Sequence, residues 1–207
     1  MDTEYINKNG GTSHAKKSTR NTRGRIVSAA WKLFYEQGYE DTTVEEIIEL
    51  SGTSKGSFYH YFDGKDALLS TLSSLFDEKY EELTGLLTPE MTAMEQLLFL
   101  NRELFHMIED SISLDLLARL YSTQLTTNGE KHLLDHNRIY YKLLRKIIAK
   151  GQAEGQLSSR SNVNEMVKLY ALCERALLYD WCLCAGEYAL TEYSAKVLPG
   201  FLSSFLP

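Results

Sequence analysis

The sequence predicts an all-α protein in which an N-terminal three-helix head is joined by a long helix to a larger C-terminal helical bundle. Only three of its 207 residues are proline, and no run of β-branched residues alternates as a strand would. Between Thr42 and Leu69 the stretch TTVEEIIELSGTSKGSFYHYFDGKDALL reads as two short helices joined at a glycine, followed by an aromatic cluster and the start of a third helix. Apolar residues then recur at three- and four-residue spacing to the end of the chain.

Residues 1 to about 20 are rich in Gly, Ser, Thr, Asn and Lys without periodicity and are expected to form a disordered basic arm. Two readings stand for it, a passive tail and an arm that adds phosphate or minor-groove contacts. The first helix is expected from about Thr22 to Gln37, burying Ile26, Ala30, Leu33 and Phe34 and stopping at Gly38. Thr42 and Thr43 each stand three residues before a glutamate, so either can cap the second helix in a capping box with Glu45 or Glu46. Val44, Ile47 and Ile48 share one face, and Gly52 ends the helix in a left-handed conformation.

Ser54 is an N-cap for a third helix over Lys55 to about Tyr61. Phe58 and Phe62, four apart, can pack back on Ile47 and Ile48, leaving Lys55, Ser57, Tyr59 and His60 to face outward. One buried face, and a slim polar tip that fits a major groove, is the division of labour of a helix-turn-helix.

The Asp63-Gly64 turn opens a long helix to about Leu87 with the stripe Leu68, Leu72, Leu75, Phe76, Leu83. Thr88-Pro89 is expected to cap and start the next helix, and two helices broken around Asp110-Ser111 fill Met91 to Thr127. A helix from after Asn128-Gly129 to about Ala153 follows, its end marked by Gly151 and Gly155. Asn162 caps another, apolar on more than one face and therefore buried on more than one side. The last, about Leu190 to Leu206, contains Pro199, expected to kink or interrupt it.

The run Arg25–Leu69 resembles the DNA-binding domain of TetR-type transcriptional regulators. The likeness rests on Gly38-Tyr39, Thr42-Thr43-Val44, Ser51-Gly52, Ser54-Lys55-Gly56, Phe58-Tyr59-His60-Tyr61-Phe62 and Lys65-Asp66-Ala67-Leu68-Leu69, and covers about a quarter of the chain. Thr53 departs from it, standing where the family usually has an apolar residue.

The resemblance implies a homodimer on a near-palindromic double-stranded DNA operator. Residues 21–66 would be the DNA-binding domain and 67–207 the effector-binding and dimerisation domain, the last two long helices forming a four-helix bundle with their counterparts. Together with exposure on the expected helices, it assigns Thr43 and Lys65 to phosphate through a helix N-terminus and a point charge. Tyr59 and His60 are further phosphate contacts, Thr53, Ser54, Lys55 and Ser57 are candidates for base edges, and Gly56 allows close backbone approach. It also implies a small-molecule pocket in the second half, with Phe99, Arg102, Phe105, His106, Tyr121, Met166, Tyr170 and Trp181 as candidates. The expected function is a ligand-responsive regulator, a repressor released by the small molecule. The alternative is an activator or co-regulator that works through a protein partner without a small ligand.

The net charge of −6 is unevenly spread. No acidic residue lies between Tyr5 and Tyr35, against seven basic ones, whereas from Ala67 onward 13 basic face 18 acidic residues. The positive charge sits where DNA is expected, and the acidic body disfavours non-specific phosphate binding. No nucleophile elbow, glycine-rich phosphate loop or paired carboxylates point to an enzyme. His132 and His136 share a face of the expected helix but lack a third ligand, so neither a metal nor any other cofactor is expected. Cys173, Cys182 and Cys184 do not make a disulfide framework and read as buried thiols. The longest apolar runs fall short of a membrane span and MDTEYINKNG lacks an apolar signal, so a cytoplasmic location is expected.

Overall fold

A computed structural model describes residues 13–126 and 131–207, with side chains from residue 22 onward. All regular structure among the described residues is helical, as the sequence predicts. The chain divides into two compact units, one ending at Leu68 and the other running from Leu69 to Pro207.

The first unit is built from α1 (Ser13–Gln37), α2 (Val44–Ser51), α3 (Lys55–Tyr61) and the start of α4 (Lys65–Leu69). Helix α1 packs on both α2 and α3. Ile26, Ala30, Phe34, Ile47, Phe58 and Phe62 form its buried core, and the Arg23 guanidinium lies 5.4 Å above the Phe62 ring. Helix α1 begins at Ser13 instead of about Thr22, so residues 13–20 of the expected arm are helical; residues 1–12 lie outside the described ones. That run lacks proline and carries Ala15, Lys16, Lys17 and Arg20, all good helix formers.

The second unit contains α5 (Leu72–Thr84), α6 (Ala93–Ser111), α7 (Leu114–Thr126), α8 (Ile139–Ala153), α9 (Val163–Leu183) and α10 (Leu190–Leu202), closed by a 3-10 turn over Ser203–Phe205. Helix α6 packs against α10, α8 and α5, while α9 covers α8, α10 and α7. Glu109 of α6 supplies the N-terminal cap that α10 lacks locally: its carboxylate accepts from the amides of Leu190 at 2.5 Å and Thr191 at 3.0 Å. The N-terminus of α8 is tied to α5 by Arg138, whose Nε and Nη2 lie 3.1 and 3.0 Å from the two oxygens of Asp77.

Four further boundaries differ from expectation. The long joining helix is two helices, because Ser70 and Thr71 carbonyls accept from Ser73 and Ser74 amides in tight turns and the Ser73 hydroxyl adds a 2.7 Å bond to Ser70. Its second part ends at Thr84. Helix α6 starts after Thr92 and not at Pro89, since Thr92 and Glu95 close a capping box there. Helix α8 starts at Ile139; Asn128-Gly129 lies outside the described residues, and the Asn137 amide turns onto the Asp135 carboxylate at 2.8 Å.

Gly151 does not end α8 but lies buried within it, and the end falls at Ala153, before Gly155. Pro199 does not interrupt α10, which continues to Leu202. The carbonyl it deprives of a partner belongs to Ala195, on the exposed side.

Cys173 is buried, with Cys182 and Cys184 half-buried; burial pushes the Cys173 and Cys182 thiols up to about 11. No helix among the described residues is long and apolar enough to cross a membrane.

Candidate nucleic-acid interface

Of the two candidate caps for α2, Thr43 takes the role. Its hydroxyl accepts from the Glu46 amide at 3.2 Å while the Glu46 carboxylate accepts from the Thr43 amide at 2.7 Å and hydroxyl at 2.8 Å. These bonds, the amide first, hold the Glu46 carboxyl below its usual range. Thr42 instead turns inward and donates to the Gly38 carbonyl at 2.7 Å.

Gly52 adopts φ 60° and ψ 38°, the left-handed conformation that lets the chain reverse between α2 and α3. Thr53 takes the place of an apolar turn residue by polar means. Its hydroxyl lies 2.8 Å from that of Ser51, which donates to the Ile48 carbonyl. This base-edge candidate is therefore half-buried and engaged within the turn.

Ser54 caps α3, its hydroxyl accepting from the Ser57 amide at 3.1 Å and lying 2.9 Å from the Ser57 hydroxyl. Phe58 is fully buried, and Lys55, Gly56, Tyr59 and His60 are exposed at positions that share one helical face. A side chain at Gly56 would meet open space, so the helix offers bare backbone there. Lys55 Nζ rests 3.3 Å from Glu45 Oε1 of α2, with both side chains mostly in solvent. The Glu45 carboxyl is lowered by a backbone hydrogen bond and then by Lys55. His60 packs edge-on to Tyr61, ring centroids 4.8 Å apart.

Lys65 departs most from its assigned role. Its Nζ donates to the carbonyls of Tyr39, Glu40 and Thr42 at 2.6, 3.2 and 2.9 Å, using all three N–H groups inside the protein. The neighbouring Asp66 accepts from the Tyr39 hydroxyl. Together they hold the turn that presents Thr43. The signal was in the sequence only as a lysine at a helix start, which carries no pointer to carbonyls 23 to 26 residues earlier.

Residues 26–72 match the family described as bacterial regulatory proteins, tetR family. A helix-turn-helix transcriptional regulator of Lactococcus lactis is 39 % identical over 56 residues, 27 % of this chain and 29 % of that one. The chain thus covers under a third of that relative's length. The fatty acid metabolism regulator of Bacillus subtilis is 23 % identical over 178 residues, 84 % of this chain and 90 % of that protein. The solved structure of Thermus thermophilus FadR, described as a transcriptional repressor in complex with lauroyl-CoA, superposes with a TM-score of 0.71. It is 26 % identical and covers 89 % of this chain and 95 % of that one. Over residues 26–72, then, this chain carries a TetR-type helix-turn-helix.

In the second unit two hollows fall near expected ligand residues. A cleft of about 620 Å³ between α6 and α10 is lined by Phe99 and Arg102, with Met91, Leu98, Ala195 and Pro199. Arg102 is engaged by Glu103 at 2.9 Å and stacks over Phe99. A tighter cavity of about 50 Å³ is lined by Tyr121, with Phe76, Tyr80, Tyr140 and Glu174 among its other walls. The remaining candidates line neither. Phe105 and Met166 are core, Tyr170 donates to the Leu97 carbonyl and Trp181 to the Tyr188 carbonyl, both at 2.8 Å. His106 is exposed and pairs with Asp110 at 3.4 Å. His132 and His136 do not share a helix, since His132 lies in a 3-10 turn and His136 precedes α8.

Sequence reasoning missed Tyr80, Tyr140 and Glu174. For Glu174 a signal existed: it is a lone acid on the face of α9 that carries Tyr170, Leu177, Leu178 and Trp181.

Proposed function

We propose that this chain is a DNA-binding transcriptional regulator, a repressor that binds a near-palindromic operator as a homodimer and leaves it when a small molecule enters the second unit. In this reading residues 21–66 are the DNA-binding domain and 67–207 the effector-binding and dimerisation domain. The observation that carries the effector is the cavity walled by Phe76, Tyr80, Tyr121 and Tyr140, because an apolar hollow with a few convergent polar groups is the usual form of a ligand site. The T. thermophilus neighbour in complex with lauroyl-CoA supports a small-molecule effector.

The dimer reading rests on α9 and α10. Leu172, Ala176, Tyr179 and Leu183 recur at helical spacing on the outer face of α9, and Leu172, Tyr179 and Leu183 are each about half or more exposed, as is Tyr193 of α10 at 42 %. A stripe of this length on a helix otherwise packed in a core is what a second copy would cover. Two recognition helices about 34–36 Å apart would then read successive major grooves. Lys55, Gly56, Tyr59 and His60 form the contact surface, with Ser54, Ser57 and Thr53 at its edge and Thr43 at the α2 N-terminus.

Fluorescence anisotropy of the full chain on DNA from upstream of its own gene, against scrambled DNA and across salt, tests this. Tight, selective binding with a steep salt slope is expected, as is its release by a compound that also raises the protein's melting temperature. Weak binding indifferent to sequence, there and in a random-sequence selection, would overturn the reading in favour of a co-regulator that acts through a protein partner.

A further inference from the structure

Glu174 lies in the middle of the second unit, 4 % exposed, on the wall of the 50 Å³ cavity. Its Oε1 accepts from Asn101 Nδ2 at 2.9 Å and its Oε2 from the Tyr140 hydroxyl at 2.6 Å. Asn101 Oδ1 in turn accepts from Ser194 Oγ at 2.5 Å, so the chain of bonds runs from α10 through α6 to α9 and α8. The Tyr170 hydroxyl also reaches the carboxylate, so at most about half of its acceptor sites are open.

Glu174 makes no ion pair among the described residues, although a buried carboxylate is ordinarily matched by a cation. Neither arginine on the same cavity bonds to it, although the Arg175 charge favours its ionised form. Arg138 is held by Asp77 and the Ser73 carbonyl, and Arg175, half-buried, donates to the Tyr141 hydroxyl at 3.2 Å. On the same wall the Tyr80 hydroxyl is fully buried with no hydrogen-bond partner among the described residues. Leaving such a group unsatisfied costs about 1–3 kcal/mol. The Tyr80 and Tyr140 rings stand 5.0 Å apart, and Phe76 and Tyr121 add two more aromatic surfaces.

An unpaired carboxylate, an unpartnered phenol and four aromatic rings around one hollow ask for the same thing. We infer that the effector carries a protonated amine, which donates to Glu174 and Tyr80 against the aromatic rings, and an apolar body. The inference rests on the effector reading above and names the ligand class for that cavity. A cation gains from the ring faces as well as from the carboxylate, and it makes the ionised form of Glu174 the favoured one where burial alone raises the carboxyl. An anionic head would meet Glu174, with the two arginines on the wall already engaged by Asp77 and Tyr141. At about 50 Å³ the cavity takes a head group and not a whole drug-sized molecule, so the apolar body must displace side chains, Leu133 and Tyr121 being the half-buried uncharged ones on the wall.

The test is calorimetric titration of the full chain with 4-phenylbutylamine, 4-phenylbutan-1-ol and 4-phenylbutyrate, which share a body and differ in the head. The amine is expected to bind at least about ten-fold more tightly than the alcohol, the equivalent of one charge-assisted hydrogen bond, and the carboxylate most weakly. Glu174→Gln, isosteric and able to keep the Tyr140 bond, is expected to bind amine and alcohol equally. Tyr80→Phe, which removes only the unpartnered hydroxyl and so does not threaten folding, is expected to weaken the amine by several-fold. Equal binding of amine and alcohol by the unaltered protein, preference for the carboxylate, or binding of none of the three overturns the inference. Release from DNA by another compound would still uphold the effector reading, so the two fail separately.

Discussion

Lys65 Nζ lies 2.6 Å from the carbonyl oxygen of Tyr39 and 4.3 Å above the ring of the same residue. With the Glu40 and Thr42 carbonyls it makes a three-point clasp on the turn between α1 and α2. A lysine so used positions Thr43 and the α2 amides, and under the proposed function it acts on DNA through them. Lys65→Met is expected to cost about 1–2 kcal/mol of stability, in the range for bonds to a charged group that is not fully buried, and to weaken operator and random DNA alike. Lys65→Arg is not expected to rescue, because a planar guanidinium cannot converge on three carbonyls as an ammonium does. Urea unfolding alongside anisotropy checks this. Undiminished stability with a salt slope lower by about one would return Lys65 to the phosphate role.

Lys55 and Glu45 lead to a second prediction, in opposite directions for the two residues. Lys55 is the one long cationic side chain on the exposed face of α3, and it rests on a carboxylate that phosphate would repel. Lys55→Ala is expected to reduce the preference for operator over scrambled DNA. Glu45→Gln is expected to tighten both by about two- to five-fold by freeing the lysine from an exposed and therefore weak pair. Anisotropy on the two DNAs reads both, and equal losses on specific and random DNA for Lys55→Ala would remove it from base reading.

The head was legible because its signals are local. Thr43 with Glu46, Gly52 and Ser54 each act within four residues, and each does in the structure what its spacing predicts. Relations over longer distances were not legible, as with Lys65 and the Tyr39 turn. In the second unit, Phe105, Met166, Tyr170 and Trp181 suited a ligand wall and a packed core equally well by residue type. Only the tertiary arrangement makes them core. The late start of α8 was hidden for another reason, since periodicity runs through His132–Asn137 while a side-chain bond from Asp135 breaks the helix there.

Gly151 offers a direct check on the packing of α8. A Cβ at this position would stand 2.6 Å from that of Ala93 and 2.8 Å from Leu157 Cδ1. Gly151→Ala is therefore expected to be destabilising by about 1–3 kcal/mol from overpacking, against the roughly 1 kcal/mol gain a helix interior normally shows for this change. Thermal unfolding reads the sign, and a rise in melting temperature would mean that Leu157 yields freely.

The outer face of α9 gives the assembly prediction. Leu172 is 52 % exposed and Tyr179 47 % exposed, so a charge at either is tolerated within a single chain. Leu172→Glu or Tyr179→Glu is expected to give a folded monomer by sedimentation and circular dichroism, with operator affinity falling at least about a hundred-fold as the second half-site is lost. A variant that stays dimeric would place the interface elsewhere.

The last prediction concerns pH. Burial raises the Glu174 carboxyl above its ordinary 4.5, opposed chiefly by the hydrogen bonds from Tyr140 and Asn101. The native state therefore holds this proton to higher pH than the unfolded chain does. Stability from this group is fully present below the unfolded value and is lost as pH rises through the folded one. Glu174→Gln keeps the shape of the side chain and cannot ionise, so it escapes that loss. The stability of the variant relative to the unaltered protein is expected to rise as pH climbs above the ordinary carboxyl value of 4.5. Urea midpoints across that range measure it. A difference that stays flat would mean that Glu174 is ionised in the free protein and already balanced, while one that falls with pH would mean that its carboxylate stabilises the fold.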